Sequence, residues 1–481
     1  MYLNSIFKNG PCIDIKQLSC NSKEKMQDAI YFCIKGVKYD GHDYIDEAIN
    51  NGAKVIVYSN DIDVNDSAFF IKVNDVETTL MRVADIFYDY PCKKLETYVI
   101  CGNNGRSSVL NIINHILSKK KKCSSIGIMG INNDGSIKDT RQPTLPILEN
   151  YKYFNDFVKS GCEVCSIEAT ALSLSYRKLD MVKPKCFIYT TTCFESSSYQ
   201  ELGNEYYNEV KRYLQTIGPE SNVVLNYDDP SFMEFKKVFN ECVSYGMNKG
   251  ADYLISEVKL QNDCSSFVLS INDEEYMVHT KLLGLVNVYN ISAALSSLHR
   301  LGYDLNEMII NLRDLDCIDG VMDKLNYKDY NIYVDCAYTI DSYNRVLKFA
   351  DRITDSNNKI VSLISINSTD TKSRIKDLMK FADKYADQII LTSDDAFEGD
   401  LSELLNLAYS YVKSSSCIII EDREGAIEES IELLNKNDTL LILGKGNENF
   451  VYRGLVKKKY SGDKNLTYKY MKKRLTEESK Y

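Results

Sequence analysis

Short apolar runs alternate with helix-like stretches along most of this chain, and that alternation constrains the fold more than any other feature. In the middle, ETYVICG, CSSIGIMG, CEVCSIEAT, KCFIYTTT and NVVLNYDD read as strands; later, NIYVDCA, KIVSLISI, QIILTS, SCIIIED and DTLLILG do the same. Helical stretches separate them, so an α/β fold with largely parallel sheets follows. The pattern begins earlier with AIYFCI (Ala29 to Ile34) and AKVIVY (Ala53 to Tyr58), around a helical segment, Tyr44 to Asn51, that Gly52 closes. A further helix, about Val76 to Tyr88, leads to Pro91, where a boundary is expected because proline does not continue a helix. A chain of 481 residues has room for three such domains in succession, over 1–93, 94–320 and 321–481.

Composition removes several function classes. The charge balance is 58 Lys and Arg against 68 Asp and Glu, net −10, a poor match to non-specific nucleic-acid binding. No basic segment with a long apolar core opens the chain, and no apolar run approaches about 18 residues, so neither a signal peptide nor a membrane span is expected. A cytoplasmic protein follows. The 15 cysteines are scattered, as free thiols in a reducing compartment would be. One C-x-x-C, Cys162 to Cys165, lacks a second pair or a nearby His and reads as buried thiols on a strand rather than a metal site. The four lysines 119–122 follow a helix and are expected at its solvated end, and the basic last stretch is expected to be a strand and helix with an exposed basic face.

The strongest local signal for chemistry is Gly102-Asn103-Asn104-Gly105-Arg106-Ser107-Ser108, between a strand and a helix. There, backbone N–H groups and a helix N-terminus can cradle phosphate. A working P-loop places Lys and then Ser or Thr after its second glycine, the Lys for the outer phosphates and the hydroxyl for magnesium. Here the Lys slot is Arg106, which keeps the charge on a longer, planar fork, and the hydroxyl is Ser107. Strand–glycine–helix junctions are also common packing features, so the turn needs its context.

The context resembles the Mur ligase family, in its tripeptide-synthetase branch. The pieces stand in order over nearly the whole chain: FYDYPCKKLETYVICG before the turn, FCIKG and DGHDYIDEAINNGAKVIV near the start, and VVLNYDD in the middle. GLVNVYNISAAL (Gly284 to Leu295), DREGAI (Asp422 to Ile427) and GKGNE (Gly444 to Glu448) complete the set. The resemblance implies an N-terminal uridine-nucleotide-type α/β domain, a central P-loop-like ATPase domain with mainly parallel sheet and a C-terminal Rossmann-like domain. It implies an ATP-dependent ligase that adds an amino acid to a UDP-N-acetylmuramoyl-dipeptide in peptidoglycan precursor synthesis, through an acyl phosphate that the amine attacks. By that resemblance, Gly102, Asn104, Gly105, Arg106, Ser107, Ser108, Asn287, Asn290 and Asp335 would hold ATP. Ser107 and Glu168 would hold magnesium, Lys211 stands at the lysine that becomes carbamoylated, and Lys211 and Glu168 would be catalytic. Ser22, Lys23, Lys445 and Glu448 would bind substrate, the UDP-linked muramoyl peptide or a related nucleotide-sugar ligand.

Departures from the family's pattern cluster where chemistry is expected. A metal-ligand His is Ser196, the Gly-Arg at a domain junction is Gly320-Val321, and the Asp-Tyr-Ala-His-Thr-Pro strand end reads Asp335 to Ile340 with Tyr338 at the His. Asp-Asn-Pro-Arg, which selects the amino acid, is Asp394-Asp395-Ala396-Phe397, and Asn447 replaces a His in GKGNE. Losing one preorganised oxyanion group costs about 3–4 kcal/mol, so several losses predict strongly reduced or lost ordinary activity. Two readings stay open: an active ligase with a rebuilt site and altered substrate, or a ligase-like pseudoenzyme that binds a nucleotide-sugar peptide or a protein partner. Each residue also has a plainer role open to it. Glu168 fits a polar strand end, Lys211 a helical surface lysine, Asn287 and Asn290 local backbone bonding at a helix start, and Asp228 and Asp229 a turn before Pro230.

Overall fold

The structure is a computed structural model that describes residues 1–8, 10–36, 39–138, 140, 145–191, 200–397 and 401–478, with 200–205 described by backbone alone. The chain forms two compact units, Met1–Val99 with Lys120–Lys185 and Thr216–Ser221, and Ile100–Lys119 with Cys186–Gln215 and Asn222–Tyr481. The expected Ser196 position lies outside the described residues.

The first unit starts with a four-stranded, all-parallel sheet in chain order: Gln17–Ser19, Ala29–Phe32, Ala53–Tyr58 and Phe69–Lys72. The helix Ile45–Asn50 turns back into the third strand through Gly52, at φ 109°, where a side chain would strike the Met26 carbonyl. Asp75 caps the helix Val76–Phe87 by accepting from Thr78 N at 2.9 Å. That helix buries Leu80, Val83 and Ala84 against Ile30, Phe32, Val55 and Val57 on one side and Ile147, Leu148 and Tyr151 of the helix Ile147–Lys159 on the other. The strand Cys123–Gly127 then pairs in parallel with Val164–Ala169 and antiparallel with Gly130–Asn133. Cys162 and Cys165 are buried thiols, and neither belongs to a metal-capable cluster among the described residues.

The second unit carries two sheets. Cys186–Tyr189, Asn222–Asn226, Val243–Gly246 and Tyr253–Leu260 run parallel, and Ser265–Ile271 and Glu274–Thr280 add an antiparallel meander. The helices Arg106–Leu117 and Gly284–Arg300 pack together. The other sheet runs in the order Asp323–Tyr327, Tyr330–Asp335, Thr439–Leu443, Ile360–Ile366, Gln388–Ser393, Ser416–Ile419, parallel except for the first strand. Such a sheet presents its loops for ligands at the carboxyl ends of the strands, here after Asp335, Ile366, Ser393 and Leu443.

The basic last stretch forms the expected strand and helix with exposed lysines, some of them paired: on the helix Asp463–Glu478, Lys469 pairs with Glu424 at 2.7 Å and Lys473 with Glu428 at 2.7 Å, both on the helix Arg423–Glu432. The acidic helix spends that charge. The lysine run stands at the solvated end of the helix Arg106–Leu117 as expected: Lys119, Lys120 and Lys122 are exposed, Lys119 reaches Asp314 at 3.0 Å, and Lys121 is half-buried and pairs with Glu96 at 2.6 Å. Deeper in, Arg423 and Asp463 form a fully buried pair, with Nη2 to Oδ2 at 2.6 Å and Nε to Oδ1 at 2.8 Å. No described helix is long and apolar enough to cross a membrane.

Candidate functional site

The turn after the strand Glu96–Cys101 is shaped by its glycines. Gly102, at φ 128°, lies so close to Thr190 that a side chain would strike its hydroxyl. Gly105, at φ 85°, precedes the helix and packs under Asn290 Oδ1, where a Cβ would collide. Tyr206, from the helix Gln200–Thr216, holds the turn from behind by accepting from Gly102 N at 2.8 Å. Thr191 O accepts from Asn103 N at 2.7 Å, and Thr190 Oγ1 donates to Asn104 O at 2.6 Å.

Arg106 does not extend away from this turn. Its Nη1 donates to the Gly102 carbonyl and, at 3.2 Å, to the Asn103 carbonyl. The guanidinium that stands in the lysine slot is folded onto the loop it follows. The loop after Asp335 meets the same turn: Tyr338 donates its hydroxyl to Asn103 O at 2.7 Å, and Asn104 Nδ2 donates to Thr339 Oγ1 at 2.9 Å. Thr339 is itself fixed by a capping box with Ser342 at the start of the helix Ile340–Ile353.

Beside the turn opens a cavity of about 780 Å³, counted with its mouth, lined by residues 103–108, Asn290, Asp335, Ser342 and Arg345 at its polar end. Leu285, Val286, Val321, Met322, Val346 and Phe349 give it an apolar floor. The structure thus brings Asn104, Gly105, Arg106, Ser107, Ser108, Asn290 and Asp335 of the expected nucleotide residues to one cavity, with Gly102 at its back. Asn287 is not among them: fully buried, it donates to Leu283 O at 2.8 Å and accepts from Asn290 Nδ2 at 3.2 Å, the local helix-start role. Burial raises the Asp335 carboxyl to about 7, against the pull of hydrogen bonds from Met322 N, at 2.7 Å, and Ala337 N. Asp228 and Asp229 form the turn before Pro230. Asp228 accepts from Tyr289 Oη at 2.6 Å and Met247 N at 2.6 Å, and Asp229 from Thr191 Oγ1 at 2.9 Å.

The other expected residues lie elsewhere. Lys211 sits on its helix with Nζ 3.0 Å from Glu234 Oε2, and the hydrogen bonds from Lys237 and Lys211 hold the Glu234 carboxyl down to about 2. A carbamate on Lys211 would replace this partly exposed ion pair with an anion facing that carboxylate. Lys445, expected to meet a ligand, is buried and already paired with Asp394, Asp395 and Glu448, each at 2.9 Å. Burial works against its charge, but Asp394 and Glu448 more than offset that and raise it above the ordinary lysine value. The hairpin Phe450–Arg453 and Val456–Lys459 closes over the segment, with Phe397 stacked on Tyr452 at 5.1 Å.

In the first unit, Glu168 ends the strand Val164–Ala169 with its carboxylate over Gly127, where any side chain would collide with it, and Oε1 accepts from Ile128 N at 3.3 Å. Ser22 and Lys23 line a larger cavity, about 1670 Å³ with its mouth. Lys35, Lys178, Tyr31, Tyr39, Tyr44 and Tyr176 surround it. Ser22 is anchored through its hydroxyl to Glu47 Oε2 at 2.5 Å, whereas Lys23 and Lys35 make no side-chain hydrogen bond or ion pair among the described residues. Burial pushes the Cys20 thiol in the same wall up to about 12 and keeps it inert.

Three family models match in succession: "Mur ligase family, catalytic domain" over 14–88, "Mur ligase middle domain" over 100–298, and "Mur ligase, glutamate ligase domain" over 322–446. The chain belongs to the Mur ligase family. Its architecture is that family's three-domain α/β arrangement. A UDP-N-acetylmuramoyl-L-alanyl-D-glutamate–2,6-diaminopimelate ligase of Clostridioides difficile (strain 630) is 29% identical over 455 residues, covering 92% of this chain and 93% of that protein. A UDP-N-acetylmuramyl-tripeptide synthetase 2 of Oceanobacillus iheyensis is 28% identical, with 90% of each chain covered. Among solved structures, one of a diaminopimelate ligase of that kind matches this Mur ligase family member with TM-score 0.71 and 20% identity over 98% of this chain and 99% of that one. A MurF ligase of Thermotoga maritima in complex with ADP matches with TM-score 0.65 and 16% identity over 95% and 98%.

Tyr206, the Tyr338 and Thr339 contacts and Arg345 were not among the residues expected from sequence. A tyrosine in a helix and an arginine four residues after Asp341 both read as ordinary there, and only folding brings them to the turn and its cavity.

Proposed function

We propose that this chain is an ATP-using, amide-forming ligase of the peptidoglycan-precursor type that binds its substrates and turns over slowly. Its working parts are domains over 1–93, 94–320 and 321–481, acting in the cytoplasm. The cavity beside the glycine turn takes ATP, with the base on the apolar floor and the phosphates at the helix start. The cavity around Ser22 and Lys23 takes a UDP-linked muramoyl peptide, whose diphosphate suits Lys23 and Lys35 and whose rings suit the tyrosines. Ser107, at the helix start beside the cavity, is an oxygen donor the chain offers to magnesium, which when bound would neutralise charge on the transferring phosphoryl group. Diaminopimelate lacks the arginine that would clamp its second carboxylate, because Phe397 stands there.

One observation carries the slow-turnover reading: Arg106 donates to the turn's own carbonyls instead of reaching outward. A preorganised cation on the outer phosphates is worth about 10²–10³ in rate. Lys211, tied to Glu234, and Lys445, saturated by three carboxylates, support the same reading.

Calorimetric titration with ATP–magnesium and with UDP-muramoyl dipeptide, beside an assay of amino-acid-dependent phosphate release, tests it. Weak ATP binding, clear binding of the UDP-linked peptide and little amide formation are expected. Robust phosphate release that depends on an amino acid would overturn slow turnover in favour of an active ligase with a rebuilt site. Binding of neither ligand would leave a scaffold for a protein partner.

A further inference from the structure

We propose that Arg345 is the cation that meets the phosphates of a nucleotide held beside the glycine turn. The proposal rests on the nucleotide reading of that cavity and adds the residue that would make it work in this chain. Arginines 106 and 345 are the cations lining the cavity, and no lysine lines it among the described residues. Arg106 is committed to Gly102 O and Asn103 O. Arg345 is not so committed: its Nε is held by Asp341 Oδ2 at 2.7 Å, and its two Nη groups have no hydrogen-bond partner among the described residues.

Its position suits the role. Long side chains on a helix lean back toward the helix start, so Arg345 lies over the turn that carries Asp341 and Ser342. That helix start is the part bonded to the glycine turn, through Thr339 to Asn104. On the same helix, Val346 and Phe349 line the apolar part of the cavity. One helix therefore presents, in sequence, contacts to the turn, a guanidinium fork and a surface for a planar base. The Asp341 partner offsets part of the charge but binds only Nε, which leaves four N–H donors in the fork that suits phosphate. Val321 lines the same cavity at the position where the resemblance places an arginine, so the cation has changed walls rather than vanished.

Titration of the full chain with ATP–magnesium and with adenosine, at low and moderate salt, reads the effect. Arg345→Ala should weaken ATP–magnesium binding about 10–100-fold, the range for a hydrogen-bonded charge, flatten its salt dependence, and leave adenosine binding within about twofold. Arg345→Lys should fall between, and Val321→Arg in the Arg345→Ala background should recover most of the loss. Equal ATP affinity in Arg345→Ala and the unaltered protein overturns the inference and leaves the proposed function standing. So does a parallel loss for adenosine, which would mark a structural role. No nucleotide binding by the unaltered protein overturns both.

Discussion

The cavity around Ser22 and Lys23 and the glycine turn treat their charges in opposite ways. In the first, Lys23 and Lys35 point no ammonium at a protein partner among the described residues, while the Ser22 hydroxyl is fixed on the Glu47 carboxylate. In the second, Arg106 closes on the loop it should serve, and farther along the same unit Lys445 is surrounded by three carboxylates. A binding surface keeps charges waiting for a ligand; a self-satisfied one must break its own bonds first. The difference predicts a protein better at holding a nucleotide-sugar peptide than at activating it.

The largest expected effect sharpens the self-satisfied side. Lys445→Ala leaves Asp394, Asp395 and Glu448 without their shared cation and should cost about 3–5 kcal/mol, read as a lower urea midpoint. A change under about 1 kcal/mol would mean that the cluster is not a structural unit and stands ready for a ligand. Next, Arg106→Lys removes the fork that binds the two carbonyls and restores a point charge that can extend. Amide-forming turnover should rise by at least about tenfold, and unchanged turnover would place the defect elsewhere in the site.

A third test concerns Asp335. Burial raises its carboxyl to about 7 from an ordinary value of 3.8, so the folded chain keeps a proton that the unfolded chain has released between those values. Stability should therefore fall as pH rises from about 4 to about 7, by up to roughly 4 kcal/mol, and Asp335→Asn should flatten that slope in urea titrations at several pH values. The smallest effect probes the waiting side: Lys23→Ala and Lys35→Ala should each weaken binding of the UDP-linked peptide by about threefold to tenfold, more at low salt. Loss of the contrast would follow if neither changed affinity.

Much of this was legible in the sequence. The strands were visible because buried parallel strands are short apolar runs between helices, and Ala53–Tyr58 coincides with the AKVIVY run itself. The turn was visible because Gly102 and Gly105 must adopt positive φ beside Thr190 and Asn290. What side chains do at the turn was not. Whether Arg106 extends or folds back depends on carbonyls that only the finished loop presents. The partners of Lys211 and Lys445 were hidden as well, because the sequence does not show Glu234, Asp394 and Asp395 arriving beside them. The pairing of the basic last stretch was hidden for the same reason: its acidic partners lie on a helix some 45 residues earlier.

The buried pair of Arg423 and Asp463 joins residues 40 positions apart. During synthesis, Arg423 leaves the ribosome well before Asp463 does, and a guanidinium without its counter-ion resists entering a dry interior. The last sheet-and-helix region therefore completes its packing only once Asp463 has emerged, and a nascent chain arrested short of that residue would keep this part open to proteases and chaperones.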